Sequence, residues 1–491
     1  MNFKKSHIII ILVGALLIGF IGAYAGGKFA QSGNQSEVQL ETNSKETGEG
    51  DNKATEEAAD VPEQVSKVAQ AYNLIKQNYL EDVEDKQLIE GAIKGMLASL
   101  EDPYSSYMDV EMMDQFNEQI ESSFEGIGAE VSMVSDIVTI VSPIKDSPAE
   151  KAGLRPNDQV LKVDGESLDG LNLNEAVAKI RGEKGSEVIL QIQRQGVSEP
   201  FDVTIVRDTI PVETVYNKME TIDGKKTGIL EITNFSEHTA EEFTEQLEVL
   251  ENEGIEGLVI DVRGNPGGLL NVVQDILKQF VPKDKPYLQI EEQNGEKTPS
   301  YSELEDKKDY PISVLINEGS ASASEILAVA LKEMGYDIVG NTSFGKGTVQ
   351  QAVPLGDGST IKLTFYKWLS PNGEWIHETG VEPTVEVSQP DYFYTNPIQI
   401  EEPLTYDQSD EKIGNVQEML SGLGFDTGRT DGYFSKETEE AVKEFQSSND
   451  LKATGEVDEE TAGLIEAKII DKIRNGEDDQ QLDKALEEVY K

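Results

Sequence analysis

Ser322 and Lys346 have the chemistry and the settings for nucleophilic hydrolysis. Ser322 stands in Gly319-Ser320-Ala321-Ser322-Ala323-Ser324-Glu325 and Lys346 in Phe344-Gly345-Lys346-Gly347. Such hydrolysis needs a group that attacks and a base that takes its proton, and that base is most often histidine. The chain has no cysteine and three histidines. His7 lies in an apolar run, and His238 and His377 sit in polar surroundings with no strained-turn signal beside them. A lysine base fits this composition better.

Ser322-Ala323-Ser324-Glu325 is also a capping box, followed by Ile326, Leu327, Ala330, Leu331 and Met334 on one helical face. Capping alone explains the serine locally. The two roles are compatible, because the apolar run 312–316 predicts a strand that turns into this helix. Such a turn exposes the hydroxyl at the sheet's edge and sets a helix N-terminus beside developing negative charge. The Ala323 amide is then a candidate for an oxyanion hole. Most lysines are solvated surface charges, and Lys346 can act as a base only if burial lowers its pKa by several units. Gln350, four residues on, either orients that amine or is an ordinary strand glutamine.

A third element is Asp261-Val262-Arg263-Gly264-Asn265-Pro266-Gly267-Gly268-Leu269, between an apolar strand and a helix. The amide of Gly267 or Gly268 could complete an oxyanion hole. The alternative is a plain tight turn. The segment 340–348 nearly spells a phosphate-binding loop, but Gly347 stands where the magnesium-binding hydroxyl is required, which excludes a nucleotide.

The elements that must position these groups are legible as alternation. Strands at 228–232, 257–261, 312–316 and 337–339 interleave with helices at 241–252, 270–280 and 322–334, which predicts a layered α/β core with a largely parallel sheet. Ahead of it, helical periodicity runs through 61–120, and its last helix, 108–120, is read as a packing or homodimer contact. Between them, strand-like runs and one helix at 174–181 carry Gly126-Ile127-Gly128-Ala129, Ser147-Pro148-Ala149 and Val163-Asp164-Gly165. This segment, 121–208, resembles a PDZ domain. The resemblance implies a groove that takes an extended peptide by strand addition, with the loop Gly126, Ile127, Gly128 and Ala129 receiving the terminal carboxylate. Taken alone, the Gly-Ile-Gly sequence is a tight turn.

The 491 residues suit several domains, and 42 basic against 93 acidic residues give a net charge of −51. That balance repels phosphate backbones, so nucleic acid is excluded as a partner. Lys4 and Lys5 precede an uncharged run from 6 to 27, long enough to span a bilayer. The segment 1–30 is therefore read as a retained single-pass anchor with the remainder outside. The triplet Ala23-Tyr24-Ala25 keeps open a cleaved signal peptide and a released, wall-associated form. An acidic tether follows at 31–60. After the core (209–390) and a linker (391–411), the segment 412–470 holds Val416-Gln417, Asp431-Gly432-Tyr433-Phe434 and Ala441-Val442 ahead of Phe445-Gln446. It resembles a three-helix peptidoglycan-binding domain, which implies peptidoglycan as a partner. Asp426 to Gly432 fails as a calcium loop because Gly428 and Thr430 stand at ligand positions, so no metal is expected. A charged helix of unassigned role closes the chain at 471–491.

Asp102-Pro103-Tyr104-Ser105, Arg263-Gly264-Asn265-Pro266-Gly267-Gly268, Gly319 to Ser324, Phe344-Gly345-Lys346-Gly347-Thr348-Val349-Gln350 and Gly380-Val381-Glu382-Pro383 occur in this order. With the PDZ-like segment they closely resemble the carboxyl-terminal processing, or tail-specific, serine proteases. The resemblance implies Ser322 as nucleophile, Lys346 as general base, Gln350 as its orienting partner, no cofactor, and substrates recognised by their C-termini. Arg181, ending the PDZ helix, is a candidate for sensing ligand by exchanging charge partners. The competing expectation is a non-catalytic PDZ and wall-binding scaffold with a degenerate core.

Overall fold

The computed structural model describes residues 65–134, 137–398, 400 and 402–491. The expected anchor or signal at 1–30 and the tether at 31–60 lie outside them, and no described helix is long and apolar enough to cross a membrane.

The core is a six-stranded sheet in the order Val215–Ile222, Lys225–Ile232, Gly257–Asp261, Ile312–Ile316, Asp337–Gly340, Val385–Glu386. Its first pair is antiparallel and the other four pairings are parallel. The two central strands are buried along their whole length, as parallel strands covered on both faces must be. Leu230, Leu258, Ile260, Val314 and Ile338 face the helices Thr239–Asn252, Leu270–Leu277 and Ala323–Glu333. Ile229, Val259, Leu315 and Val339, one residue out of step, face the opposite side and pack on Ala485, Leu486 and Val489. The charged closing helix, Gln480–Glu488, is thus a structural layer on the back of the six-stranded sheet.

A second, antiparallel sheet was not foreseen. It runs Ser106–Met108, Thr360–Leu369, Pro286–Glu291, Lys297–Tyr301, with Thr348–Pro354 also paired to Thr360–Leu369. Its strands mix lysine, threonine and glutamine with apolar residues, so they lack the continuous apolar run that betrays the parallel sheet. Through Ser106–Met108 this sheet ties the N-terminal helices to the strand that follows Lys346.

The PDZ-like body has strand order Ala129–Val134, Ile137–Pro143, Gln159–Val163, Glu187–Gln193, Phe201–Val206, which leaves Ala129–Val134 at an edge. Its helix, Leu173–Ile180, starts at a capping box in which Asn172 and Glu175 bond reciprocally. Fully buried Asp158 takes Arg194 through two hydrogen bonds of 2.7 and 2.6 Å. The pairing of Ser123–Gly126 with Asp208–Pro211 joins this body to the core.

The C-terminal module packs three helices, Glu411–Gly422, Lys436–Ser448 and Glu459–Arg474. The stretch expected as a linker is built into it. Tyr392, Ile398 and Leu404 are buried in its core, and a Cβ at Gly422 would lie 2.5 Å from the Tyr392 ring.

Candidate active site

Three segments converge at the C-terminal end of the central strands, the place where open α/β sheets hold their sites. The strand Gly257–Asp261 runs into the glycine turn, the strand Ile312–Ile316 into the Ser322 turn, and Asp337–Gly340 into the Lys346 loop. Backbone bonds stitch the three together: Ala321 N–H donates to Asn265 O at 3.1 Å, and Phe344 N–H to Ser320 O at 3.0 Å.

Ser322 is the N-cap of Ala323–Glu333 and has φ 54° and ψ −110°. A serine at positive φ is strained by about 1–3 kcal/mol, which the surrounding packing must hold in place. Its two neighbouring serines have committed their protons. Ser320 Oγ donates to Val262 O at 2.8 Å and Ser324 Oγ to Asn265 O at 2.9 Å. Ser322 makes no such donation among the described residues.

Lys346 is fully buried, and its Nζ has no hydrogen-bond partner among the described residues. Burial pulls its amine from 10.5 down to about 8, against the opposing charges of Glu325 and Asp102. The Tyr104 ring lies 5.2 Å from Nζ. Both flanking glycines are required by close approach. Gly345 has φ 92°, and a Cβ on Gly347 would come within 2.7 Å of Trp375 Nε1. His377 Nδ1 accepts the Gly347 N–H at 3.2 Å, so the histidine nearest the site supports the lysine loop.

One carboxylate joins serine to lysine. Buried Glu325 accepts Ser322 N–H (2.7 Å) and Lys346 N–H (2.8 Å) on Oε2, and Ser343 Oγ and Gly345 N–H (both 2.6 Å) on Oε1. Burial pushes its carboxyl above the usual range against the pull of these four donors. From the sequence, Glu325 is legible only as half of a capping box. That half exists, as the Ser322 N–H bond, and the same side chain also holds the lysine loop.

Gln350 is fully buried in the strand Thr348–Pro354. Its Nε2 donates to Thr348 Oγ1 and Thr364 Oγ1, each at 3.0 Å, while Oε1 has no partner among the described residues. A second buried lysine, Lys362, was not singled out in the sequence. Burial pulls its amine down to about 7, the Lys346 charge acts in the same direction and Asp102 opposes it. Nothing in the short alternation of Thr360–Leu369 distinguishes it from a solvated strand lysine.

The oxyanion candidates separate. Gly267 lies against the Ser322 turn, where a Cβ would sit 2.8 Å from Ser322 Cβ and 2.9 Å from Ala323 N. Its N–H, however, donates to Asn265 Oδ1 at 2.8 Å. Gly268 is packed on Phe235, with its absent Cβ only 2.1 Å from Phe235 O. Ala323 begins the helix, so its amide belongs to the first turn, where N–H groups have no intrahelical acceptor. Arg263, at the head of this turn, is held by Asp261 (2.6 Å) and by Asp479 of the closing helix (2.8 Å).

Gly126, Ile127, Gly128 and Ala129 lie where Ser123–Gly126 passes into the edge strand Ala129–Val134, away from the Ser322 turn in sequence and in sheet. Gly128 has φ 73°, and Ile127 O accepts Ala149 N–H at 2.8 Å. Arg181 donates to Glu118 of the helix Val110–Glu121 at 3.0 Å and lies 4.9 Å from the Phe124 ring. Beside Lys346, a cleft of about 610 Å³ is lined by Asp102, Tyr104, Thr348, Thr364, Trp375 and His377 among others.

Family models match in the order the fold suggests. An activating protease CtpB N-terminal domain matches residues 16–112, a PDZ domain 139–194, peptidase family S41 226–387 and a peptidoglycan binding domain 409–465. Carboxy-terminal processing protease CtpB of Bacillus subtilis (strain 168) is 50% identical over 482 residues, covering 98% of both chains. Carboxy-terminal processing protease CtpA of the same organism is 43% identical, covering 87% of this chain and 90% of the other. With a serine at a strained strand-to-helix turn and a buried lysine tied to it, this full-length similarity shows that the chain is a peptidase and belongs to family S41, among the carboxy-terminal processing serine proteases.

Proposed function

We propose that the chain is an extracytoplasmic endopeptidase that cleaves proteins near unstructured C-termini through an acyl-enzyme on Ser322. The observation that carries this reading is the buried amine of Lys346, without a hydrogen-bond partner among the described residues, drawn to about 8 and fixed through Glu325 to the turn that holds Ser322. Near neutral pH part of the population has an uncharged Nζ, which can take the Ser322 proton as Oγ attacks the scissile carbonyl carbon. The oxyanion of the tetrahedral intermediate is met by the Ala323 amide and by Gly267 or Gly268, Gly267 only once Asn265 Oδ1 releases it. Collapse breaks the C–N bond, and the Lys346 ammonium returns its proton to the departing amine. Water then repeats the sequence on the ester. In the working site Gln350 Oε1, which has no partner among the described residues, accepts a hydrogen bond from the Lys346 amine and keeps its lone pair aimed at Ser322.

The PDZ-like edge strand and the loop Gly126 to Ala129 take the substrate's C-terminus by strand addition. Arg181 registers that event by exchanging charge partners, a reading supported by its hydrogen bond to Glu118 outside the PDZ-like body. The C-terminal module holds the enzyme at peptidoglycan, the segment 1–30 anchors it to or exports it across the membrane, and the exposed apolar side chains of Ser66–Asn78, Leu74 and Ile75 among them, suit a homodimer contact. The test is Ser322→Ala. It should abolish cleavage of a peptide with a free C-terminus while leaving the melting temperature in the wild-type range. Retained turnover rejects the assignment, and no cleavage by wild type across a peptide panel points to a scaffold.

A further inference from the structure

The two ends of a glutamine amide have the same shape, so something must decide whether Gln350 offers oxygen or nitrogen to Lys346. With the wrong end forward, an N–H would face the lysine's donors and the base would be disordered. The decision can be traced through hydrogen-bond polarity. A carboxylate only accepts, a hydroxyl has one proton, and an amide nitrogen only donates.

Asp102 lies in the loop before Ser106–Met108. Its Oδ2 accepts Ser105 Oγ at 2.6 Å and Thr364 Oγ1 at 2.7 Å, and its Oδ1 accepts Tyr104 N–H at 3.0 Å. Burial pushes its carboxyl up, but these donors and the Lys346 charge outweigh it and hold the group below the usual range, in its acceptor form. Thr364 has therefore committed its only proton to Asp102. Its oxygen can serve Gln350 only as an acceptor, and Gln350 Nε2 donates to it at 3.0 Å. Gln350 and Thr364 are direct cross-strand neighbours, so the contact is built into the sheet register. The second amide proton goes to Thr348 Oγ1 at 3.0 Å. Both N–H groups are then satisfied, and Oε1 is the end left for Lys346 Nζ, these two buried atoms both lacking a hydrogen-bond partner among the described residues.

We propose that Asp102, acting through the Thr364 hydroxyl, sets the orientation of the Gln350 amide and is thereby a positioning residue for the Lys346 base. The assignment rests on the Ser322–Lys346 reading above. It gives a task to the Asp102-Pro103-Tyr104-Ser105 motif, which sits more than two hundred residues before the nucleophile, and it links the N-terminal helical part directly to the catalytic strand pair.

The test uses the full chain and a double-mutant cycle. Thr364→Val removes the relay hydroxyl with little change in shape. We expect kcat to fall roughly tenfold or more with KM little changed, as for the loss of one orienting bond to a reacting group. Thr364→Ser restores most of the rate. In a Gln350→Ala background, Thr364→Val has no further effect, because the residue through which it acts is gone. Asp102→Asn is the second variant, expected to lower kcat and to move the rising, acid-side limb of the pH–rate profile to lower pH by removing a negative charge near Lys346. The proposal is overturned if Thr364→Val costs the same factor with and without Gln350, if Thr364→Ser is as slow as Thr364→Val, or if Asp102→Asn leaves both kcat and the limb unchanged. Failure of the underlying reading looks different, as Ser322→Ala or Lys346→Ala would then keep activity.

Discussion

Ser322 and Lys346 donate their backbone N–H groups to the same atom, Glu325 Oε2, at 2.7 and 2.8 Å. A single carboxylate oxygen thus fixes the spacing of the turn that offers the hydroxyl and the loop that offers the amine. Glu325→Gln replaces one acceptor oxygen by a donor nitrogen facing two N–H groups or a hydroxyl and an N–H. The expected result is a loss of at least tenfold in kcat together with a destabilisation of about 1–3 kcal/mol per buried group left unpaired. Kinetics and thermal unfolding of the purified variant check this. Wild-type values for both would show that the shared oxygen does not hold the site.

Activity should depend on pH through Lys346. Its conjugate acid titrates near 8, and only the neutral amine accepts a proton. The ratio kcat/KM is therefore expected to rise about tenfold per unit on the acid side and to level off above roughly 8. A pH–rate profile of the wild-type enzyme on a peptide with a free C-terminus measures it.

The same burial has a cost in stability with the opposite chemical sense. Lys346 has a lower pKa folded than unfolded, 10.5 falling to about 8, so between those values the unfolded chain binds the extra proton. Stability is expected to rise with pH through that window, and the full penalty applies below it. Lys346→Met should accordingly stabilise the protein at pH 7 by on the order of 3 kcal/mol while abolishing activity, and the gain should vanish toward pH 10.5. Denaturant unfolding at pH 7 and 10 compares the two chains.

The closing helix acts on the glycine turn through Arg263. This guanidinium bridges Asp261 and Asp479, with both partners largely shielded from solvent. Asp479→Ala leaves a shielded cation short of one partner. A destabilisation of about 3 kcal/mol, at the lower end for a broken buried pair because some solvent reaches the site, is expected together with reduced kcat. Asp479→Glu should recover part of both. Unchanged kcat would confine the pair to a structural role.

The parallel sheet and its helices were legible because strands such as Ile312–Ile316 are apolar along their whole length and the helices that follow have a clear period. The second sheet was not, since Thr348–Pro354 and Thr360–Leu369 carry lysine, threonine and glutamine at buried positions, which breaks the apolar alternation that marks a strand. Ser322, Lys346 and Gln350 were visible through their glycine-marked neighbourhoods and the resemblance these carry. Glu325, Asp102 and Thr364 were hidden for a physical reason. Each acts through hydrogen bonds that cross from 14 to 262 positions in the chain, and local spacing cannot report such bonds. The linker was misread because Tyr392 and Leu404 are too widely spaced to signal a core until the helices they pack on are folded.

The most direct test of the central claim, that the uncharged Lys346 amine activates Ser322, is covalent labelling of the full chain with a fluorophosphonate, read by intact and peptide mass. One adduct is expected, located on Ser322, forming faster as pH rises through about 8 and absent in Lys346→Ala. An adduct on another residue, or labelling of Ser322 that is undiminished without Lys346, would contradict it.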